Sequence, residues 1–488
     1  MVTRHPARPV LTVAAIRALE SRLLSPPVPQ PLMEMAGDAV ARLALEILAG
    51  KRRVWIVAGP GNNGGDALVA ATLLKNSHCQ VEVTFSGEAI RLSPEAQSAH
   101  AAWLAAGGTC HAVLPSDEAP DLIVDGLFGI GLDREVTGAA AELIEAINAL
   151  RTPVLSIDVP SGLCAATGNI LGHAVNATHT LSFFALKPGL LTLDGPDQCG
   201  MLHVESLGVP ADSLTEAGRT LEPHRQAILP ARRRNVHKGH FGHLLILGGA
   251  PGLRGAALLA GRAALRSGTG RVTVAMPDAT NDLDSLFPEL MICPATHALD
   301  TASWNTLVAG PGLGQSPEAG RLLQRALAFG RPTVLDADAL NLLAGQPWPA
   351  HHPAPLLLTP HPLEAARLLG CSIEVIQADR LGSAQKLASR YRAWIALKGV
   401  GTICAGPDGR WWINTTGNPG LASAGMGDVL AGLAGSLLAQ GLTPADALTA
   451  AVCLHGQAAD EAATAGYGPI GLSSQELIEF ARRRINRY

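Results

Sequence analysis

Short apolar runs alternate with longer helix-like segments along the whole chain. In the first half, Val54–Ala58, Val81–Phe85, Leu122–Asp125 and Val154–Ile157 are continuous apolar or mixed runs bounded by turn residues. Runs of this length predict strands of a buried parallel sheet. Between them Ala67–Asn76, Pro94–Ala106 and Ala139–Leu150 predict helices, and glycine-rich Gly59–Gly65 separates the first strand from its helix. Repeated strand–helix units predict right-handed crossovers. Ligands of such sheets bind at the carboxyl ends of strands, where the Gly59 loop, Asp125 and Asp158 all fall.

The second half repeats the pattern. Leu244–Leu247, Val272–Ala275, Thr306–Ala309, Thr333–Leu335, Leu356–Leu358 and Trp394–Leu397 predict strands, Gly248–Gly255 a loop and Ala256–Ser267 a helix. Val429–Ala439 is apolar almost all round, which predicts a buried helix. The pattern breaks over Glu216–Arg234, polar at first and then basic. Two α/β domains are expected, residues 9–219 and 223–488, and a length of 488 residues accommodates them.

Composition narrows the function classes. Hydrophobic residues make up 47% and charged residues 16%, so the chain can bury large cores. The net charge of −4 argues against a general nucleic-acid binder. The run Arg232-Arg233-Arg234 reads as a solvated linker. Eight cysteines without a C-x-x-C pair suggest neither a zinc site nor a redox dithiol. No signal-like segment and no spanning apolar stretch is found, so we expect a cytoplasmic protein with no membrane partner.

The chemistry-bearing residues of the first half cluster in three loops. Gly59-Pro60-Gly61-Asn62-Asn63-Gly64-Gly65-Asp66 offers backbone amides and a helix N-terminus to an anion such as a diphosphate. By itself it could equally be a tight turn capped by Asp66. Asp125-Gly126-Leu127-Phe128-Gly129 and Asp158-Val159-Pro160-Ser161-Gly162 are further strand-end elements. The hard oxygen ligands Asn63, Asp125 and Ser161 suit an alkali or alkaline-earth cation better than zinc. An unpaired carboxylate beside them could serve as acid or base.

This trio resembles the N-terminal domain of the NAD(P)H-hydrate repair enzymes, the YjeF-type epimerases. Leu32-Met33-Glu34-Met35-Ala36-Gly37 and Ala185-Leu186-Lys187-Pro188-Gly189-Leu190 extend the likeness over Pro9–Pro210. It implies a Rossmann-like three-layer domain that epimerises the hydrated nicotinamide ring at C6. It also implies that Asn62, Asn63, Gly64, Gly65 and Asp66 bind the hydrate. The loop Gly129, Ile130, Gly131, Leu132, Asp133, Arg134 and Glu135 would line the same site. Asp158 would contact substrate as the candidate acid/base, and Asn63, Asp125 and Ser161 would ligate potassium. Cys164 and Ala166 stand where family members often carry aspartates, which puts the local structure there in question.

In the second half, Asn414-Thr415-Thr416-Gly417-Asn418-Pro419-Gly420 leads to Gly425-Met426-Gly427-Asp428 and the buried helix. Glycine amides at a helix start can hold a transferring phosphoryl group, and an aspartate there can accept a hydroxyl proton. A lone Gly-x-Gly-Asp is equally a helix cap. The context resembles the ribokinase-like superfamily, and within it the dehydratase domain of the same repair enzymes. The likeness rests on seven motifs in family order: His237–Gly242, Gly248–Gly249, Gly255–Ala257, Gly310–Gly314, Asp336–Asn341, Thr359–Glu364 and Leu397–Gly399.

It implies a ribokinase-like three-layer domain in which Ala256, Gly312, His361 and Asp428 contact the (6S)-hydrate. Lys398, Gly399, Val400, Gly401, Thr402 and Gly427 would hold ADP or ATP, with magnesium shielding the phosphates. Asp428 would deprotonate the C6 hydroxyl so that it attacks the terminal phosphoryl group. The phosphate ester would then leave, returning NADH or NADPH from the hydrates NADHX and NADPHX. Blander readings stand beside these: His361 as a structural histidine in Pro-His-Pro, Lys238 as a loop lysine, His351-His352 as surface loop, and Trp411-Trp412 as strand packing. We also expect a homo-oligomer.

Two other functions fit part of the pattern. A ribokinase-like small-molecule kinase with a non-catalytic N-terminal nucleotide-binding module would leave a stably phosphorylated product. A scaffold-type binding module would not need Asn63, Asp125, Asp158 and Ser161 together, and all four are present.

Overall fold

The computed structural model describes residues 7–25, 31–86, 92–113, 118–210, 213–214, 217–221, 229–279, 283–344 and 352–486. The chain divides into two compact units, Arg8–Gly218 and Arg219–Tyr488.

The N-terminal unit begins with β1 (Pro9–Val10), α1 (Val13–Leu23) and α2 (Leu32–Leu48). There follow β2 (Arg53–Ala58), α3 (Asn62–Asn76), β3 (Gln80–Phe85), α4 (Pro94–Ala105), β4 (Cys110–His111) and β5 (Leu122–Gly126). It closes with α5 (Ala139–Ala149), β6 (Val154–Ile157), β7 (His179–Phe183), α6 (Gly195–Gln198) and β8 (Met201–Glu205). Seven strands form a parallel sheet in the order β4-β3-β2-β5-β6-β7-β8. Side chains of a strand alternate between faces. On β2, Val54, Ile56 and Ala58 join the core with Val40 of α2 and Leu68 and Leu74 of α3. Trp55 and Val57 join the opposite core with Ile144 and Ile147 of α5. Helices thus cover both faces, which is why the strands read as unbroken apolar runs.

The C-terminal unit opens with β9 (Gly218–Thr220), β10 (His243–Leu247), α7 (Arg254–Arg266), β11 (Arg271–Met276), β12 (Met291–Pro294) and α8 (Ala295–Thr301). It continues through β13 (Thr306–Ala309), α9 (Pro317–Leu327), β14 (Thr333–Leu335), α10 (Asp338–Ala344), β15 (Leu356–Leu358), α11 (Pro362–Leu369), α12 (Ile373–Ala378) and α13 (Arg380–Tyr391). Last come β16 (Trp394–Leu397), β17 (Ile403–Ala405), β18 (Trp411–Ile413), α14 (Met426–Ala439), α15 (Pro444–Thr464) and α16 (Ser474–Ile485). The strand order is β12-β11-β10-β13-β14-β15-β16-β17-β18-β9. The sheet is parallel from β12 to β16, and β16–β17 and β17–β18 pair antiparallel. Helix α14 packs on Val308 and Leu244, and Gly432 lets it close on α7, since a Cβ there would stand 2.2 Å from the Ala260 carbonyl oxygen.

The α/β expectation holds in both units. Three helices start earlier than the apolar pattern suggests: α3 at Asn62 rather than Ala67, α7 at Arg254 rather than Ala256, and α14 at Met426 rather than Val429. Opening turns rich in glycine and polar residues carry no apolar periodicity, so the pattern begins one turn late. Arg232 is exposed yet pinned, donating to the Gly268 carbonyl (2.7 Å) and Gln440 Oε1 (2.9 Å) and lying over the Phe241 ring. Solvated linker therefore describes Arg233 and Arg234 better than Arg232. His351 lies outside the described residues, and His352 Nδ1 donates to the Ala354 carbonyl (2.9 Å).

Candidate functional site

Strands β2, β5 and β6 are neighbours, so their carboxyl ends bring the three N-terminal loops together. Glycine is required where α3 begins, because a Cβ on Gly64 would stand 1.9 Å from the Gly59 carbonyl oxygen. Asp125, at the end of β5, is wholly buried. Its Oδ1 accepts from Ser161 Oγ (2.5 Å), and its Oδ2 accepts from Ser161 N (2.9 Å) and Ser156 Oγ (2.8 Å). Burial pushes its pKa up, and these hydrogen bonds oppose the rise. Asn63 Nδ2 donates to the carbonyls of Phe128 (3.0 Å) and Ile157 (3.2 Å), and Phe128 N donates to Ser161 Oγ (2.8 Å). Asn63, Asp125 and Ser161 are therefore one hydrogen-bonded group centred on Phe128.

Asp158 follows β6 in the left-handed region (φ 64°), which a non-glycine residue adopts only when its surroundings demand it. The demand is visible. Asp158 Oδ1 is bonded to Lys187 Nζ and accepts from Phe183 N (3.2 Å). Lys187 is wholly buried and also donates to Ser182 Oγ and the Phe183 carbonyl, both at 3.0 Å. Lys187 lay in a stretch that the sequence marked only as supporting; a lysine inside Ala-Leu-Lys-Pro-Gly-Leu was the available signal. Asp66 is 9% exposed, and burial raises its pKa well above the ordinary value, with Asp158, Glu20 and Glu34 adding to the rise.

The loop from Gly129 to Glu135 reaches this group only in part. Gly129 approaches Asn63, since a Cβ on it would be 3.2 Å from Asn63 Oδ1. Ile130 and Leu132 pack onto the cores, and Asp133, Arg134 and Glu135 are exposed. Asn62 accepts from Ser93 Oγ (2.9 Å). At the departures Cys164 and Ala166, backbone closes the turn: the Cys164 carbonyl accepts from Gly168 N (2.8 Å), and Cys164 N donates to the Asn169 carbonyl (2.9 Å).

In the C-terminal unit, β14, β15 and β16 deliver Asp336, Thr359 and Lys398 to one edge. Asp336 Oδ1 takes Lys398 Nζ (2.8 Å) and Thr359 Oγ1 (2.8 Å), and Glu364 Oε2 is 3.9 Å from the same ammonium. Burial opposes the charge of Lys398, but Asp336, Glu364 and Asp428 together hold its pKa above the ordinary value. Gly427 adjoins this pair, since a Cβ on it would lie 3.5 Å from Lys398 Nζ. Asp428 is half-buried in the first turn of α14, and its pKa is raised to about 7. Burial is the main cause; Asp336 and Asp338 add to it, and Lys398 counters. Asp336 and Glu364, neither assigned a role from the sequence, complete the cluster.

His361 has both a structural and an exposed side. Its Nδ1 accepts from Leu363 N (3.1 Å) and Glu364 N (3.4 Å), capping α11, while Nε2 faces Glu364 Oε1 at 3.3 Å. Nδ1 as acceptor and a pKa lowered by burial and then by Lys398 describe a neutral ring. Ala256 and Gly312 are neighbours, a Cβ on Gly312 lying 3.2 Å from that of Ala256. Ala250 N donates to the Gly312 carbonyl (2.7 Å), and Gly314 N donates to Asp338 Oδ2 (2.8 Å), so both glycine loops are stitched together beside Asp338. Val400 is 57% exposed, and Thr402 Oγ1 closes the Lys398–Thr402 turn on the Gly399 carbonyl (3.0 Å). Behind α14, Asp460 of α15 accepts from Gly417 N (2.9 Å) and Asn418 Nδ2 (3.1 Å).

Known proteins match both units. Residues 29–189 match the family described as YjeF-related protein N-terminus, and residues 244–483 match NAD(P)H-hydrate dehydratase. The bifunctional NAD(P)H-hydrate repair enzyme of Escherichia coli K12 is 41% identical over 465 residues, 93% of this chain and 89% of that protein. Its namesake from Vibrio cholerae is 38% identical over 481 residues, 93% of each. A solved ADP/ATP-dependent NAD(P)H-hydrate dehydratase from Bacillus subtilis, co-crystallised with ATP and magnesium, is 33% identical. It covers 52% of this chain and 93% of its own, with a TM-score of 0.48. With an identity of 41% sustained along nearly the whole chain, this protein belongs to the family of bifunctional NAD(P)H-hydrate repair enzymes, an epimerase joined to a dehydratase.

Proposed function

We propose that the C-terminal unit dehydrates the (S)-hydrate of NADH or NADPH at Asp428, using ADP or ATP bound on Lys398–Thr402 and Gly427. The observation that carries this reading is Asp428, an aspartate with a pKa of about 7 at the start of a buried helix beside Lys398. A base with that pKa is matched to neutral pH. It takes the proton of the C6 hydroxyl, and the oxygen then attacks the terminal phosphoryl group. The Gly427 amide and Lys398 face the charge that develops there. The ring nitrogen's electron pair expels phosphate from C6, and loss of a C5 proton restores the dihydropyridine. The products are NAD(P)H, phosphate and AMP or ADP. Ala256, Gly312 and His361 hold the hydrate, His361 as a neutral ring. No group of three His, Cys, Asp or Glu side chains placed to hold a metal ion is found among the described residues. Magnesium would therefore be carried by the nucleotide phosphates and water, where it supplies charge neutralisation.

The N-terminal unit epimerises the hydrate at C6. Loss of the hydroxyl leaves a cation conjugated with the ring nitrogen, and water returns on either face. Asp158, locked by Lys187, serves this cation as a fixed negative charge. Asp66, whose burial favours the protonated form, donates to the departing hydroxyl. The Asn62–Asp66 turn and Gly129–Glu135 loop hold the nucleotide. Asn63, Asp125 and Ser161 fit a potassium ion in chemistry: one buried carboxylate among neutral oxygens matches one positive charge. The bound ion would fix these loops and neutralise Asp125. We assign the protein to the cytoplasm; no described helix is long and apolar enough to cross a membrane.

Mixed hydrates of NADH incubated with the protein and ADP or ATP test both assignments. Full recovery of the reduced-nicotinamide absorbance is expected, since the epimerase feeds the dehydratase. No recovery with either donor, or a stably phosphorylated product, would overturn the reading.

A further inference from the structure

Arg380 opens α13 and is 3% exposed. Its Nη1 donates to Gln377 Oε1 (2.9 Å), and its Nη2 reaches the carbonyls of Leu397 and Lys398, both at a long 3.3 Å. Its Nε has no hydrogen-bond partner. No carboxylate pairs with it among the described residues, and each of its hydrogen-bond acceptors is a neutral oxygen. Desolvation by burial pulls its pKa down to about 10. A buried guanidinium without a counter-charge is costly, and proteins ordinarily pair such a group.

The position of this charge suggests why it is kept. It lies directly beneath Gly399 in the Lys398–Thr402 turn. A Cβ on Gly399 would be 2.9 Å from Arg380 Nη2 and 3.0 Å from Nη1. Gly399 also has φ 138°, which side chains rarely adopt. The glycine is thus needed twice, for its conformation and for the guanidinium behind it. Only one residue of backbone separates the charge from the exposed face of the turn, where Val400 projects. In a low-dielectric setting a fixed charge acts across such a distance without direct contact.

We propose that Arg380 is a positioning residue whose uncompensated charge, behind Gly399, finds its counter-charge in the phosphates of the nucleotide on the Lys398–Thr402 turn. This rests on the nucleotide assignment made above for that turn. Arg380 then discriminates phosphorylated from unphosphorylated ligands without touching either, and it braces the carbonyls of Leu397 and Lys398 at the end of β16.

The test uses the full chain and two probes, ADP and adenosine, by calorimetry, together with donor KM and kcat for dehydration. Arg380→Met should weaken ADP binding about tenfold or more and leave adenosine binding within about twofold. Donor KM should rise while hydrate KM stays level. Arg380→Lys should recover most of the ADP affinity. Epimerase activity and the unfolding temperature of each variant report whether the chain folds. Equal losses for ADP and adenosine in Arg380→Met, or no rescue by lysine, would overturn the proposal in favour of a bracing role alone. Val400→Asp separates the underlying assignment, because a carboxylate on the turn should repel ADP wherever the turn holds phosphates. If Val400→Asp leaves ADP binding unchanged, the nucleotide does not lie on this turn, and the proposal falls with that assignment. If Val400→Asp weakens ADP binding and Arg380→Met does not, only the proposal for Arg380 fails.

Discussion

Asp66 and Asp428 both stand near the start of a helix that a glycine-rich turn leads into, and their neighbours then diverge. Asp66 is buried among Asp158, Glu20 and Glu34, and no cation is among the influences on it. Asp428 is half-buried, and Lys398 partly offsets Asp336 and Asp338. A helix start should favour the carboxylate form of each. Burial prevails in both, and the placement of lysine decides by how much. In the N-terminal unit Lys187 is committed to Asp158. In the C-terminal unit Lys398 is shared by Asp336, Glu364 and Asp428. Similar backbone thus yields a carboxyl biased toward its protonated form in one unit and a base poised near neutrality in the other.

The largest expected effect breaks one side of this contrast. Asp428→Asn should lower dehydration by roughly a thousandfold, the middle of the range for loss of a general base. Epimerisation by the same chain should be unaffected, as followed by chromatography of the two hydrates. A dehydratase rate within tenfold of the unaltered chain would remove Asp428 from its role.

Asp158→Asn should slow epimerisation by roughly a hundredfold, and Asp66→Asn by a similar factor if that carboxyl is the proton donor. Lys187→Met leaves Asp158 buried and uncompensated, which costs about 3–5 kcal/mol. Calorimetry should therefore show the N-terminal unit melting earlier. The double variant Asp158→Asn with Lys187→Met should regain much of that stability without regaining activity. Full epimerase activity in Asp158→Asn would leave the pair a purely structural one.

These pairings mark what sequence reading can reach. Short apolar runs placed all of the strands named from them, because strands covered by helices on both faces leave little polar alternation to confuse the pattern. Asn63, Asp125 and Ser161 were legible because each follows such a run, and neighbouring strand ends must meet. Lys187 was not, because a buried lysine looks like any other lysine until its partner is known. Asp336 and Glu364 stayed hidden for the same reason; their significance lies in a shared ammonium that only β14, β16 and α11 together bring near. The β17–β18 hairpin was also missed, its three-residue strands being too short to show alternation.

The C-terminal side can be sharpened by pH. Asp428 must be deprotonated to accept a proton, so the dehydration rate should climb as pH rises through about 7 and level off above it. Lys398 lowers this pKa, so Lys398→Met should move the midpoint to higher pH. Asp336 raises it, so Asp336→Asn should move the midpoint down. Each unit of displacement changes the rate on the acid limb about tenfold. The same shift has a stability consequence of known sign. The folded chain binds a proton at Asp428 up to about pH 7, whereas the unfolded carboxyl loses it near its ordinary value. This one group therefore makes folding less favourable as pH rises between those values. A rate profile flat from pH 5 to 9, or one unmoved by both variants, would detach the neutral pKa from catalysis.

The smallest effect concerns the cation of the N-terminal unit, where the two units should again respond differently. Asp125 is a single buried carboxylate held by hydroxyl and amide donors, and no ammonium or guanidinium is among the influences on its charge. A potassium ion among Asn63, Asp125 and Ser161 would supply the missing positive charge. Ligands that bind only the folded state stabilise it by mass action, here about 1–3 kcal/mol at concentrations well above the dissociation constant. Replacing potassium by choline at constant ionic strength should lower the N-terminal unfolding transition by a few degrees and slow epimerisation severalfold. Dehydration of the purified (S)-hydrate should be indifferent to the exchange. Asp125→Asn should abolish the potassium response, because the amide no longer needs a counter-charge. If both transitions respond alike to potassium, or if Asp125→Asn retains the response, the ion is acting elsewhere and Asp125 must carry its burial through hydrogen bonds alone.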